Sequence, residues 1–225
     1  MLLLAVDTSG KQGSIALAKA DAQACNLIEV VPLVGGTFSA QLVPQIAALL
    51  ARHGFSKEEI DAFVVASGPG SFTGLRVGLA AIKGLAEVLE KPIAPVSLLE
   101  VLATLAEVQD RVVAVLEAGR NEAFLGEYES SESGVRLVSE TLVPRTSLVK
   151  EHVRATTITP DASIAAELRG AGIRVIETPP ITGYDVARLG WKKIQAGQTV
   201  SPQDLDANYI RRSDAEIFSQ PAPKP

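Results

Sequence analysis

One order of apolar runs, turns and helical spacings is written twice along this chain. Leu2–Asp7 is a short, branched, apolar run of the kind that forms a buried strand. Ser9-Gly10-Lys11-Gln12-Gly13 reads as a turn, Ser14–Lys19 as a second strand and Asn26–Leu33 as a third. Gly35-Gly36-Thr37 breaks the pattern. Ser39–His53 then has helical spacing, with Leu42, Ile46, Leu49 and Leu50 on one face, Pro44 near the start and Gly54 at the end. Ala62–Ala66 predicts a strand, Thr73–Leu89 a long helix, Pro92–Val96 a strand, and Ser97 caps a further helix through Ala106. The order then restarts. Strands are predicted at Arg111–Leu116, Ala123–Tyr128 and Val135–Val143, and a short helix at Ser147–Val153. A strand at Thr156–Thr159, a helix at Ala162–Ala171, a strand at Ile173–Glu177 and a last helix at Tyr184–Ala196 complete it. The opening turns also match, Val6-Asp7-Thr8-Ser9-Gly10 against Leu116-Glu117-Ala118-Gly119-Arg120. Alternating strands and helices predict mixed sheets covered by helices. The expected architecture is α/β with duplicated β-β-β-α-β-α units in two lobes, residues 1–105 and 106–225, the last helix packing back on the first lobe. The tail from Gln220 is expected to fray.

Composition narrows the function. A chain of 225 residues, 47% apolar and 21% charged, excludes a disordered scaffold, and aromatics at 4% predict an aliphatic core. The net charge is −5, with 7 Lys/Arg against 9 Asp/Glu in residues 1–100 and 14 against 17 in the rest. Neither half carries the basic footprint of a nucleic-acid binder, so RNA is expected to be met only through a partner. One cysteine, Cys25, and two histidines, His53 and His152, exclude an intrachain disulfide and argue against a zinc cluster; no metal or cofactor is expected. MLLLAVD has no basic flank and is interrupted by Asp7, which reads as a strand and not a signal peptide. No apolar run approaches the ~20 residues of a membrane span, and a soluble, cytoplasmic chain is expected.

The segment Ser67-Gly-Pro-Gly-Ser-Phe-Thr-Gly-Leu-Arg-Val-Gly-Leu79 ends a strand, turns and starts a helix. Amides at that helix start can hold an anion, or the segment is a well-capped turn. It is not a Walker loop, because no Gly-Lys-Ser/Thr follows. With Asp7, Thr8 and Ser9, Gly68 and Gly70 form a candidate degenerate phosphate loop; a hydroxyl turn bonded to its own backbone is the simpler alternative. The helix beyond is apolar on two sides. Leu75, Leu79, Ile82, Ala86 and Leu89 form one stripe and Gly74, Gly78, Ala81, Leu85 and Val88 another, beside a polar strip of Arg76, Lys83, Glu87 and Glu90. An outer helix needs about 100° of apolar face, and this one has nearly twice that. The surplus predicts a partner interface from Phe72, Gly74, Leu75, Arg76, Gly78, Leu79, Ile82, Lys83, Leu85 and Ala86, the two glycines allowing close helix–helix approach. Gly84 weakens the helix further. In Asp204–Glu216, Tyr209 and Ile210 are anchors, while Arg211 and Arg212 could meet phosphate or a partner carboxylate, or simply be solvated. No Ser-His-Asp or Cys-His set assembles, so no catalytic residue is assigned.

AVDTS at 5–9, SGPGSFTGLRVGLAAIKGLA at 67–86 and ANYIRRSDAE at 207–216 together resemble the bacterial TsaB (YeaZ) family over nearly the whole chain. The resemblance implies an actin-like (ASKHA, RNase H-like) two-lobe fold. It further implies a non-catalytic subunit for making N6-threonylcarbamoyladenosine (t6A) beside the anticodon of tRNAs reading codons that start with A. Its implied partners are the homologous catalytic subunit TsaD and the ATPase TsaE, with tRNA met only in the complex. The TsaD contact would lie on helices of the first lobe, and alone the protein would form homodimers through the same surface. Two positions depart from the family pattern: Phe38 stands where many members have histidine, and Glu117-Ala118 replaces Asp-Ala. TsaD's metal-binding histidine pair has no counterpart in Phe38–Pro44. An ATP-binding actin-fold kinase or ATPase is the alternative, on the Asp7-Thr8-Ser9 turn and the glycine loop. A metallopeptidase would have to use His53 and His152, far apart in sequence.

Overall fold

The alternation of side-chain size along the strands decides how this molecule is layered. In the computed structural model, which describes residues 1–132, 134–151 and 155–210, the first half forms β1 (Leu2–Asp7), β2 (Gln12–Ala20), β3 (Cys25–Val34), α1 (Phe38–Arg52), β4 (Ala62–Gly68), α2 (Phe72–Leu89), β5 (Ile93–Ser97) and α3 (Leu98–Leu105). The second half forms β6 (Asp110–Gly119), β7 (Glu122–Ser131), β8 (Gly134–Pro144), α4 (Leu148–Glu151), β9 (Thr156–Thr159), α5 (Ala162–Gly170), β10 (Val175–Glu177) and α6 (Gly183–Gln195). Sheet one runs β3-β2-β1-β4-β5 and sheet two β10-β9-β6-β7-β8, the same order read from opposite ends. In each, the first three strands are antiparallel and the last two join in parallel. This duplicated mixed-sheet arrangement is the actin-like fold.

The large residues of sheet one, Leu2, Leu4, Val6, Ile15, Leu17, Phe63 and Val65, point to its outer face and are covered by α1 and α2. The residues between them, Leu3, Ala5, Ala16, Ala18, Ala62, Val64 and Ala66, are mostly small and point inward, where α6 lies. Small side chains let that helix come close: a Cβ on Gly190 would stand 2.2 Å from Val64 Cγ1. Sheet two splits the same way. Val113, Val115 and Leu125 face α5, while Val112, Ala114, Phe124 and Tyr128 face α3. Each half thus gives its last helix to the other half's sheet. α3 packs on β6, β7 and β8, and α6 on β1, β2, β4 and β5. The two helices also meet each other, with Lys193 and Glu100 paired at 2.7 Å.

Two elements differ from the spacing-based expectation. The strand expected from Ile173 begins at Val175, because the α5 C-terminus draws Ile173 in: its amide donates to the Leu168 carbonyl at 3.0 Å. The helix expected at Ser147–Val153 is a 3-10 turn at Arg145–Ser147 followed by α4, and its last residues fall outside the described residues. The expected frayed tail also lies outside them. No helix among the described residues is long and apolar enough to cross a membrane.

Candidate functional site

Between the lobes lies a cleft of about 950 Å³. Its walls come from the β1–β2 turn (Ser9, Gly10, Lys11), the start of α2 (Pro69–Val77), the β6–β7 turn (Glu117–Arg120) and Asn208–Ile210. The two matching turns thus face one another across it. Of the five candidate phosphate-loop residues, only Ser9 and Gly70 line the cleft; Asp7, Thr8 and Gly68 do not.

The reason is local. Asp7 is buried, and its carboxylate accepts the Ser9 amide at 2.9 Å. Burial raises the Asp7 carboxyl above the usual carboxylate range, and the hydrogen bonds from Ser9 offset this only in part. Thr8 turns the other way and donates its hydroxyl to the Gly74 carbonyl at 2.8 Å. The start of α2 is drawn down on this turn, with the Ser71 amide donating to the Ser9 carbonyl at 2.6 Å. Ser71 caps the helix, its hydroxyl accepting from the Gly74 amide at 3.3 Å. Two amides that an anion would use are therefore already engaged. Of the two readings of the Asp7-Thr8-Ser9 turn, the geometry fits the simpler one, a turn bonded to its own backbone and joined to the start of α2.

The same joint explains Gly74 and Gly78. A Cβ on Gly74 would stand 2.0 Å from the Thr8 carbonyl oxygen, and one on Gly78 would stand 2.4 Å from the Thr8 hydroxyl. Within this chain both glycines make room for the turn at Thr8. Of the ten expected interface residues, Gly74, Leu75, Gly78, Leu79, Ile82 and Ala86 are buried within this chain. Phe72, Lys83 and Leu85 are half-buried and Arg76 is exposed. The Arg76 guanidinium lies 3.6 Å from the Phe72 ring centre, and the Tyr209 ring covers Phe72 with centroids 5.0 Å apart.

The face of α2 turned away from the sheet is the neighbouring one: Ala80, Gly84 and Val88 are exposed, and Val77 and Ala81 half-buried. Val88 is 76% exposed, a cost for an isolated chain. α1 packs beside α2 and turns Ala40, Val43, Pro44, Ala47, Ala48 and Ala51 outward. Neither set contains a charge. Composition-based reading missed the α1 half of this surface, although its signal was present: no charged residue occurs from Phe38 through Ala51.

Other candidates disperse. His53, at the end of α1, meets Glu29 at 2.7 Å, with Arg52 on the other carboxylate oxygen at 2.8 Å, an exposed surface cluster. His152, Arg211 and Arg212 lie outside the described residues. Cys25 is buried, and burial pushes its thiol up. Among the described residues, no group of three or more His, Cys, Asp and Glu could hold a metal ion. In the second half, Asp161 is pushed up by burial, while the Glu117 amide at 2.8 Å holds its carboxylate across the start of α5.

Residues 30–204 match the family model described as TsaD: tRNA N6-adenosine threonylcarbamoyltransferase. The chain is 33% identical over 130 residues to the tRNA threonylcarbamoyladenosine biosynthesis protein TsaB of Bacillus subtilis (strain 168), covering 57% of this chain and 56% of that one. It is 33% identical over 138 residues to the TsaB of Escherichia coli (strain K12), covering 60% and 58%. These matches span little more than half the length of either relative. In three dimensions the chain superposes on YeaZ from Pseudomonas aeruginosa with a TM-score of 0.73 at 24% identity, covering 92% of this chain and 100% of that one, which establishes the shared fold.

Proposed function

The chain belongs to the family of that TsaD model and, within it, to the TsaB (YeaZ) group, and on this premise we propose that it is a non-catalytic subunit on which a TsaD-type enzyme docks. In this reading the TsaD subunit transfers the threonylcarbamoyl group to the adenosine beside the anticodon of tRNAs reading codons that start with A. A TsaE-type ATPase joins the pair, and tRNA is met only in the assembly. In the absence of its partner the chain forms homodimers through the same face.

One observation carries the reading. The outward faces of α1 and α2 are adjacent, apolar and free of charge, from Val43 and Ala47 to Ala81 and Val88. Exposed apolar patches of this kind mark association surfaces. The interior of α2 serves its own lobe, so the docking residues are those beside the buried stripe. The burial of Asp7 supports an accessory role over the kinase alternative, which needs an acid at the ligand.

The test is to place a charge in the face without touching the core. Ala47→Arg and Val88→Arg, both at exposed positions, singly, are expected to leave the melting temperature of the isolated chain nearly unchanged. Each should weaken capture by the TsaD of the same organism roughly a hundredfold or more, since an unpaired charge is buried on association, and lower t6A formation in a reconstituted system. Undiminished capture would remove this face from the account. Calorimetry of the isolated chain with Mg-ATP addresses the alternative: tight binding with turnover lost in Asp7→Asn would favour a kinase or ATPase.

A further inference from the structure

After α6 the chain returns along α2 as a strap. Val200 pairs with Ile93 beside β5, through backbone bonds of 2.8 and 3.2 Å. The Lys83 ammonium donates to the Gln203 carbonyl at 3.4 Å, and the Gln203 amide donates to Glu87 at 2.8 Å. Leu205 is buried in the core beneath α1 and α2. Lys83 and Glu87 of the polar strip of α2 are thereby bonded to this chain's own residues.

At Asn208 the strap reaches both lobes. Its backbone amide donates to the Ser67 carbonyl of β4 at 2.8 Å, and its side-chain amide donates to Glu140 Oε2 of β8 at 2.5 Å. Glu140 is anchored in turn, its Oε1 accepting from the Tyr128 hydroxyl at 2.5 Å and from the Ser97 hydroxyl. Tyr209 follows, resting on Phe72 and accepting from Arg76 Nε at 3.2 Å. Asn208, Tyr209 and Ile210 form part of the cleft wall. Apart from Leu205, the residues from Gln203 to Ile210 are exposed or half-buried. Beyond Leu205 the seat consists of these polar bonds and two half-buried apolar contacts, Ala207 and Ile210, and so belongs to the low-stability end of a fold, where local opening takes place.

We propose that Asp206–Ile210, hinged on the buried Leu205, is a releasable latch on the interlobe cleft, with Asn208 as its bolt and Glu140 as its keeper. When the bolt leaves Glu140, Tyr209 and Ile210 leave the wall, and the cleft opens. The latch does not depend on what docks on the outer face of α1 and α2.

Hydrogen exchange on the full chain tests it. Asn208→Asp sets a second carboxylate against Glu140. Exchange should rise roughly tenfold or more in peptides covering 200–210, 69–77 and 117–124 together, with β1 and residues 110–116 of β6 unchanged. Adding Glu140→Gln should restore protection. The glutamine oxygen keeps Tyr128 and Ser97, and its amide donates to the new carboxylate. A rise confined to 200–210, or no restoration in the double variant, overturns the latch. Should Asn208→Asp fail to fold, Asn208→Ala, which only deletes the donor, is read by the same criterion: either both cleft walls loosen with the strap or the proposal fails.

Discussion

Asp7 shows how far a single residue can be read. Its place at the end of a buried strand, before Thr-Ser-Gly, is plain from the sequence. The direction of its carboxylate is not, because that depends on residues more than sixty positions away that fold down on the turn. In the folded chain burial raises its pKa, whereas unfolded it titrates near the usual value of about 3.9. A raised folded value means that its contribution favours the fold below about pH 4 and is lost as pH rises through the raised value. Asp7→Asn keeps an oxygen for the Ser9 amide without a charge to bury. It is expected to raise the melting temperature by a few degrees at neutral pH, with the gain vanishing as pH falls toward 4. Melting curves across that range check it; a destabilised variant at pH 7 would mean that the charge is used.

At the scale of the element, α2 is legible as a two-faced helix but not in the assignment of its faces. Periodicity counts apolar positions without saying which neighbour covers them. The small residues of the Gly74–Gly78 spacing are consumed by Thr8, a contact between strand end and helix that no local pattern announces. Gly84 is the informative glycine. Nothing lies within 4 Å of the Cβ it lacks, so within this chain it only weakens the helix, by about 0.8–1 kcal/mol relative to alanine. Gly84→Ala is expected to raise the melting temperature of the isolated chain by roughly 2–4 °C and, if the proposed partner docks here, to weaken its capture, because the partner would meet the new methyl group. Calorimetry and a binding titration separate the two effects. A more stable variant with unchanged capture would place the contact elsewhere on α1 and α2.

For the whole molecule, the duplicated order is legible because each half repeats the same alternation of period and turn. The exchange of closing helices is legible only in part: the return of α6 to the first lobe is expected from the sequence, whereas α3 is apolar on two sides and its sequence does not tell which sheet takes it. That exchange predicts that neither 1–105 nor 106–225 folds alone. The first would expose the alanine-rich inner face that α6 covers, and the second would lack Leu99, Leu102 and Ala103 of α3. Produced together, the two pieces should assemble. Trp191 of α6, whose indole donates to the Asp21 carbonyl at 3.0 Å, should report assembly by a shift in fluorescence absent from either piece. Independent folding of one piece, seen as dispersed amide resonances, would contradict the prediction. The exchange also says what a gene of half this length could have encoded: twin chains related by a two-fold axis, each lending its closing helix to the other, already enclose the same two interiors, and fusing them end to end needs only the short connection from α3 to β6.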